Sequence, residues 1–263
     1  MKKIALLLAM SLAFTACNND DNDPTTPVVN TEVNFRFTQN FDGAEITNAD
    51  FDATVYTNAN GENLTLSKLV YLISDITFTN AAGEKFDAGD YNLVDARNGL
   101  GNIFTPGIEI PEGEYNVSFT YGFDDEDNQD GVYLDLNVAD GVGWGVPAAL
   151  GGGYHYMRME GMYENSDGDD VAYQYHNIRA AMPGTDPLVT MDTSIEVDLG
   201  IINITEGTNI EIRMNVAEWY RNPNLWDLNE LFTVLMPNYD AQIMMNENGQ
   251  TVFSLGEVTG NAQ

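Results

Sequence analysis

The sequence is poor in the residues that cross-link a fold or bind most transition metals. Its 263 residues include one cysteine, Cys17, and two histidines, His155 and His176. A single thiol excludes an internal disulfide, so the fold must be stabilised by the packing of its apolar side chains. Any metal site that depends on imidazole must use His155, His176 or both.

Basic residues are also scarce. Ten lysines and arginines stand against 41 acidic residues, for a net charge of −31. Loss of residues 1–16 would remove two lysines and no acidic residue, which gives −33. Such a surface repels phosphate and attracts cations or basic proteins, so we expect no nucleic-acid partner. Solubility alone also explains a surface of this charge.

The N-terminus predicts export and lipid anchoring. Two lysines precede an apolar run over residues 4–14, and Thr15-Ala16-Cys17 forms a small-residue cleavage site that ends in cysteine. We interpret residues 1–16 as a lipoprotein signal peptide and Cys17 as the lipid attachment point on the membrane. A plain signal peptide followed by an incidental cysteine is the alternative.

The chain after Cys17 predicts a tethered domain. Residues 17–31 are polar, acidic and interrupted by proline, which is typical of a flexible tether. Residues 32–263 then form a single domain, without any stretch of about 20 apolar residues that could span a bilayer. Acidic residues just after the lipidated cysteine favour an outer-membrane lipoprotein exposed at the cell surface. The periplasmic face is the alternative.

The hydrophobic pattern predicts an all-β fold. Apolar residues recur with period two over Tyr115–Tyr121 and Ile210–Val216, and Gly, Asn and Asp separate such runs. We expect an antiparallel β-sandwich or a partly closed barrel, with at most one or two short helices. The continuous apolar stretch at Leu69–Ile73 predicts a central strand buried on both faces. A short helix is predicted at Trp226–Phe232, capped by Asn224.

Three sequence blocks, taken in order, resemble the methanobactin-associated copper-protein (MbnP-like) family. They are Leu66–Ile76 with Tyr91–Asp95, then Ile110–Asp124, and finally Asp140–Trp144 with Gly153–Gly161 and Tyr173–His176. The resemblance implies an all-β extracytoplasmic protein that binds copper. It also implies that a dihaem partner enzyme of the peroxidase type oxidises a tryptophan that then joins histidines at the metal. By position, Trp144 is that tryptophan and His176 lies on the family's histidine strand.

Strand register decides whether the two histidines can share an ion. In an antiparallel hairpin the sum of paired residue numbers is constant. A two-residue loop at Asp167-Gly168 gives a sum of 335, which places His176 opposite Met159 and His155 about 13 Å away along the strand. A longer loop with a sum of 331 places the imidazoles face to face, whereas an even sum predicts opposite faces of the hairpin.

Imidazole and thioether together form a reasonable ligand set for copper, because thioether sulfur is soft. We therefore predict His155, His176 and Met159 as metal ligands, with Trp144 beside the site. The alternative is that both histidines are packed core residues and that Met159 is ordinary core filler.

Two further interpretations concern the acidic residues and the function. The run Asp124–Gly131 has enough oxygen ligands for calcium, although Asp130 stands where an EF-hand loop needs glycine, and a plain solvated loop is the alternative. No base, nucleophile or acid pair is singled out, so we expect no enzymatic activity. The first function hypothesis is a lipoprotein of copper acquisition or handling. The alternative is a surface binding or adhesion lipoprotein without a metal site.

Overall fold

A computed structural model describes residues 29–89 and 91–260 of the chain. Over these residues the protein is built mainly of β-strands with one α-helix, which confirms the all-β prediction. The predicted signal peptide, Cys17 and most of the predicted tether lie outside the described residues.

The strands are short in the N-terminal half, apart from three long ones. In chain order they are β1 (Asn30–Glu32), β2 (Asn34–Phe41), β3 (Ala44–Ile46), β4 (Tyr56–Thr57), β5 (Asn63–Leu64), β6 (Lys68–Asn80), β7 (Lys85–Asp87), β8 (Tyr91–Asp95), β9 (Ile103–Phe104), β10 (Glu109–Pro111) and β11 (Gly113–Tyr121).

The C-terminal half contains the remaining strands and the helices. The strands are β12 (Met157–Glu164), β13 (Asp170–Asn177), β14 (Ala180–Met182), β15 (Val189–Met191), β16 (Ile195–Ile204), β17 (Asn209–Asn215) and β18 (Phe253–Thr259). The α-helix is α1 (Tyr239–Gly249), and short 3-10 helices lie at Leu136–Gly141, Ala148–Leu150 and Val216–Tyr220.

Strand β6 is the centre of the larger sheet. It pairs antiparallel with β11 and β12 along one edge and with β7 and β8 along the other. Strand β16 continues the sheet beyond β11, and β13 pairs with the free edge of β12. Every residue from Leu69 to Ile73 is buried, which confirms the prediction of a central strand covered on both faces.

The second sheet has the order β18-β17-β2-β3, with β9 also paired to β2. Strands β2 and β17 run parallel, in contrast to the antiparallel pairs elsewhere. The two sheets pack on each other through aromatic rings, because Phe35 contacts Phe78 at 5.9 Å and Tyr71 contacts Phe253 at 6.0 Å between ring centroids. Their shared core supplies the packing that replaces disulfides.

The helix predicted at Trp226–Phe232 is wrong, because this stretch forms turns around a buried Trp226 whose indole N–H donates to Leu231 O at 3.0 Å. Instead the chain is helical at α1, where the Asn238 side chain accepts a hydrogen bond from Ala241 N at 3.1 Å and caps the first turn. Among the described residues, no helix is both long and apolar enough to cross a bilayer.

Candidate metal centre

The hairpin of β12 and β13 places two kinds of side chain on its two faces. Paired residues share a face, and successive pairs alternate between faces. The outer face consists of the pairs Arg158–His176, Glu160–Gln174 and Met162–Ala172, whereas the inner face consists of Met157–Asn177, Met159–Tyr175 and Gly161–Tyr173. The inner face is buried in the core, and the outer face is partly open to solvent.

The register differs from both predicted registers. A five-residue loop, Asn165–Asp169, closes the hairpin, and Asn165 N donates to Asp169 O at 2.9 Å. The paired residue numbers therefore sum to 334, so that His176 lies opposite Arg158 and not opposite Met159. The turn at Asp167-Gly168 was recognised from sequence, but its length was not.

His155 and His176 nevertheless lie together. Their ring centroids are 5.7 Å apart and the ring planes meet at 82°. The even sum predicted opposite faces, and this prediction is wrong because His155 precedes β12 and the chain bends at Tyr156. The alternation of side chains that holds within a strand does not extend across such a bend.

Trp144 lies against His155. It is fully buried in a second apolar cluster, which consists of Val70, Leu72, Phe123, Leu136, Trp144 and Tyr154. Its indole N–H donates to His155 O, and His155 N donates to Trp144 O at 3.0 Å. The centroids of the indole and imidazole rings are 5.6 Å apart. The tryptophan loop and the start of the hairpin are therefore joined by reciprocal hydrogen bonds.

Arg158 is a site residue that the sequence analysis missed. Its guanidinium lies 4.7 Å from the centroid of the Trp144 ring, and its Nη2 donates to Gly143 O at 2.8 Å. A cation over an aromatic face is attracted by the ring quadrupole. Arg158 thus holds the tryptophan loop against the hairpin. Arg158 could have been singled out from sequence, because it is one of the few basic residues of the chain and lies among the apolar residues that open β12.

The hydrogen bonds of His155 fix its tautomer. Its Nδ1 lies 2.8 Å from Trp144 O and 3.2 Å from Arg158 Nη2. Nδ1 therefore lies between a carbonyl oxygen, which only accepts, and a guanidinium, which only donates, and the shorter contact, to the carbonyl, favours the tautomer with the proton on Nδ1. Burial, reinforced by the positive charge of Arg158, lowers the pKa of His155 to about 3. The ring is therefore neutral near pH 7, with its lone pair on Nε2.

A hydrogen bond on the outer face of the hairpin orients the ring of His176. Its Nε2 lies 2.8 Å from Glu160 Oε1, and a carboxylate accepts, so Nε2 is the protonated nitrogen. When the ring is neutral, its lone pair is on Nδ1. The hydrogen bond from His176 and the charge of Lys68, whose Nζ is 4.0 Å from the same oxygen, lower the pKa of Glu160. Glu160 was not predicted from sequence, although in this register it lies in the next pair on the outer face from His176.

The two imidazoles fit a metal in their donor chemistry. Metal-binding histidines commonly donate their other ring N–H to a carbonyl or carboxylate, as both rings do here. With a bond of about 2 Å from nitrogen to metal, two imidazoles on one ion have ring centroids roughly 5–6.5 Å apart, and the observed 5.7 Å falls in this range. Within the described ranges, no group of three or more His, Cys, Asp or Glu side chains could hold a metal.

The structure does not bring Met159 to the histidines. Met159 lies on the inner face, fully buried, where Tyr220 Oη donates to its sulfur at 3.7 Å. It belongs to the main hydrophobic core, which is the alternative that the sequence left open. Met162 is on the outer face, but it lies two pairs away from His176 and is 40% exposed.

The acidic run at Asp124–Gly131 uses its carboxylates for local structure. Asp124 Oδ1 accepts from the backbone N of Glu126 and of Asp127, at 2.9 and 3.0 Å. Asp130 Oδ1 accepts from Gly153 N at 2.7 Å and so fixes the turn that leads into His155. Among the described residues these side chains form no group that could hold a metal, so the calcium site predicted for this run is not assembled.

The fold and the site define an all-β protein in which two imidazoles and a buried indole meet at the end of a hairpin. A model of the MbnP family matches residues 30–245, and the chain belongs to this family. The solved structure of MbnP from Methylosinus trichosporium is similar, with 14% sequence identity and a TM-score of 0.50 over 89% of this chain and 100% of that chain. At this identity the likeness shows the fold alone. No curated protein sequence matches.

Proposed function

We propose that this protein binds copper outside the cytoplasm, as a lipid-anchored protein of copper acquisition or handling, and that it is not an enzyme. The observation that carries the proposal is the pair of imidazoles 5.7 Å apart, each with one ring nitrogen at 2.8 Å from an oxygen acceptor. Membership of the MbnP family supports copper as the metal.

In this proposal Nε2 of His155 and Nδ1 of His176 hold the copper ion. Imidazole nitrogen suits copper well. Because His155 is already neutral, no proton has to leave it when the metal binds near pH 7. Further ligands would come from other groups, such as solvent or a modified Trp144.

The test is metal analysis of residues 29–263 after copper exposure and gel filtration. The wild-type domain is expected to retain copper, each of His155→Ala and His176→Ala to retain less, and the double variant to retain none. Glu164→Ala, an exposed change on β12, is the matched control and should behave like wild type. Equal, near-zero copper in the wild type and the double variant would end the proposal.

We further propose that Trp144 is the residue on which a dihaem partner of the peroxidase type acts. The indole is fully buried, so its oxidation would proceed by electron transfer through the residues that cover it and not by direct contact. Intact-mass measurement of protein co-expressed with such a partner tests this. A mass shift that disappears in Trp144→Phe is expected, and an unshifted mass would contradict it.

Lipid attachment at Cys17 and exposure on the outer membrane complete the proposal. They are supported by the export sequence and the acidic residues that follow it. Cys17→Ala is expected to release the protein from the membrane fraction. Protease treatment of intact cells should degrade the wild-type protein, and a protected protein would place it on the periplasmic face instead.

A second candidate function is a surface binding module without a metal. One observation favours it: Leu134, Val138 and Val142 are 76%, 74% and 79% exposed within a single segment beside the tryptophan loop. Exposed apolar residues grouped in this way are typical of interaction sites. Absence of copper from every variant in the metal analysis would favour this function over the first.

A further inference from the structure

The outer face of the hairpin contains a carboxylate that no ligand assignment includes. Glu160 is in the next residue pair on the same face of the hairpin as His176, two pairs along the ladder, and its Oε1 accepts the Nε2–H of His176 at 2.8 Å. We propose that Glu160 is the positioning residue of the metal site and selects the tautomer of His176 that leaves Nδ1 to bind the ion. This inference rests on the copper-binding function proposed above.

The backbone of Glu160 is fixed from two sides. Strand β13 pairs with it on one edge, and on the other Ser67 N donates to Glu160 O at 2.7 Å. The close approach of this neighbouring segment requires the glycine that follows, because a Cβ on Gly161 would lie 1.8 Å from Thr65 O. The backbone at Glu160 and Gly161 is therefore held in a fixed position, and it places the Glu160 carboxylate beside His176.

The carboxylate itself is also oriented. Lys68, the partner of Glu160 in the pairing of β12 with β6, has its Nζ 4.0 Å from the same Oε1. The side chain of Glu160 is 26% exposed and that of His176 is 13% exposed, so the hydrogen bond is largely shielded from water. A charge-assisted hydrogen bond in such a setting is stronger than one between neutral groups in solvent.

His176 is held at its backbone as well as at its ring. Gln242 of α1 donates from Nε2 to His176 O at 2.9 Å, on the side away from Glu160. With the main chain fixed, the remaining freedom of the residue is the rotation of its ring and the choice of its protonated nitrogen. The hydrogen bond to Glu160 determines both. The corresponding acceptor for His155 is Trp144 O, so each imidazole has one oxygen acceptor at 2.8 Å from a ring nitrogen.

The first test measures the tautomer in the metal-free protein. Long-range proton–nitrogen NMR correlation should show His176 in the Nε2–H form in the wild type. Glu160→Ala should give a mixture of both neutral tautomers, whereas Glu160→Gln, which keeps an accepting oxygen, should largely retain the wild-type form. Glu164→Ala is the control from the same strand, and circular dichroism checks that each variant is folded.

The second test measures affinity for copper, supplied as the cuprous ion and competed against a chromophoric chelator. Loss of an outer-shell partner of this kind is expected to weaken binding about 10- to 100-fold in Glu160→Ala, with less weakening in Glu160→Gln. Glu164→Ala should stay within threefold of the wild type.

The two measurements separate this inference from the proposed function. A wild-type protein without copper affinity would overturn the function, and the tautomer measurement would still decide the role of Glu160. An unchanged His176 tautomer in Glu160→Ala would overturn the inference, even if copper affinity fell, because the carboxylate would then act through its charge alone. An altered tautomer with wild-type copper affinity would also overturn it.

Discussion

The inner and outer faces of the β12–β13 hairpin are made from alternate residues of the same two strands, yet they have different tasks. The inner face packs Met159 and Tyr175 into the core, where both are fully buried. The outer face carries Arg158, Glu160 and His176, whose hydrogen bonds serve the imidazole pair. Because successive side chains of a strand point to opposite faces, neighbouring residues of these two strands serve different purposes. Those on the inner face stabilise the fold, and those on the outer face surround the histidines.

The largest effect is expected from the inner face. Tyr175 contacts Trp219, Tyr220 and Trp226, with ring centroids 4.6–6.0 Å apart, and its hydroxyl donates to Trp219 O at 3.2 Å. Tyr175→Ala should lower the free energy of unfolding by about 3–5 kcal/mol in chemical denaturation. Tyr175→Phe, which loses only the hydrogen bond, should cost about 1 kcal/mol.

The comparison predicts that copper affinity of folded Tyr175→Ala stays within threefold of the wild type. A loss of copper affinity comparable to that of His176→Ala, measured below the unfolding transition, would show that the two faces are not separable.

Glu211 offers a contrast to Glu160, as a buried carboxylate with a purely structural role. Burial raises its pKa, but hydrogen bonds from Glu257 N, Arg213 and Thr38 outweigh this and lower the pKa to about 2. A carboxylate whose pKa is lower in the folded state stabilises it above the unfolded pKa near 4, and this stabilisation is lost as pH falls towards 2.

We therefore expect Glu211→Gln to be less stable than wild type by about 2 kcal/mol at pH 7, with a difference that shrinks at pH 2–3. Denaturant titrations at pH 7, 4 and 2.5 measure this, with Glu164→Gln as the control. A destabilisation of equal size at every pH would rule out the ionised form of Glu211 as its cause.

Met159 gives the smallest expected effect and sharpens the assignment of ligands. Met159→Leu keeps volume and apolarity in the core and should cost less than about 1.5 kcal/mol of stability. Copper affinity should be unchanged, because the sulfur faces the core and contacts Tyr220. A tenfold loss of copper affinity in this variant would return Met159 to the ligand set.

Much of the fold could be predicted from sequence, because strand periodicity is a local signal. The central strand β6 and the alternation of β11 and β17 followed from apolar spacing. The parallel pairing of β2 with β17 could not, since it joins residues about 175 positions apart that no local pattern relates. Helix α1 was missed because its buried side includes Gln242 and Asn248, which hydrogen-bond to backbone carbonyls, so no apolar stripe marks it.

The site could be predicted only in part. Trp144 and His176, which the resemblance to the MbnP-like family pointed to, each contact His155, which was considered because the chain has only two histidines. The hairpin register could not be deduced, because the turn residues Asp167-Gly168 are compatible with several loop lengths. Arg158 and Glu160 were missed for the same reason, since their proximity to the histidines follows from that register and from the bend at Tyr156.

The measurement that tests the account most directly is X-ray absorption spectroscopy of the copper-loaded domain. We expect the outer-shell scattering of two imidazoles at a copper–nitrogen distance of about 2 Å, reduced to one imidazole in His155→Ala and in His176→Ala. A spectrum with a single imidazole in the wild-type protein, or one that neither substitution alters, would contradict the claim that the two histidines converge on one ion.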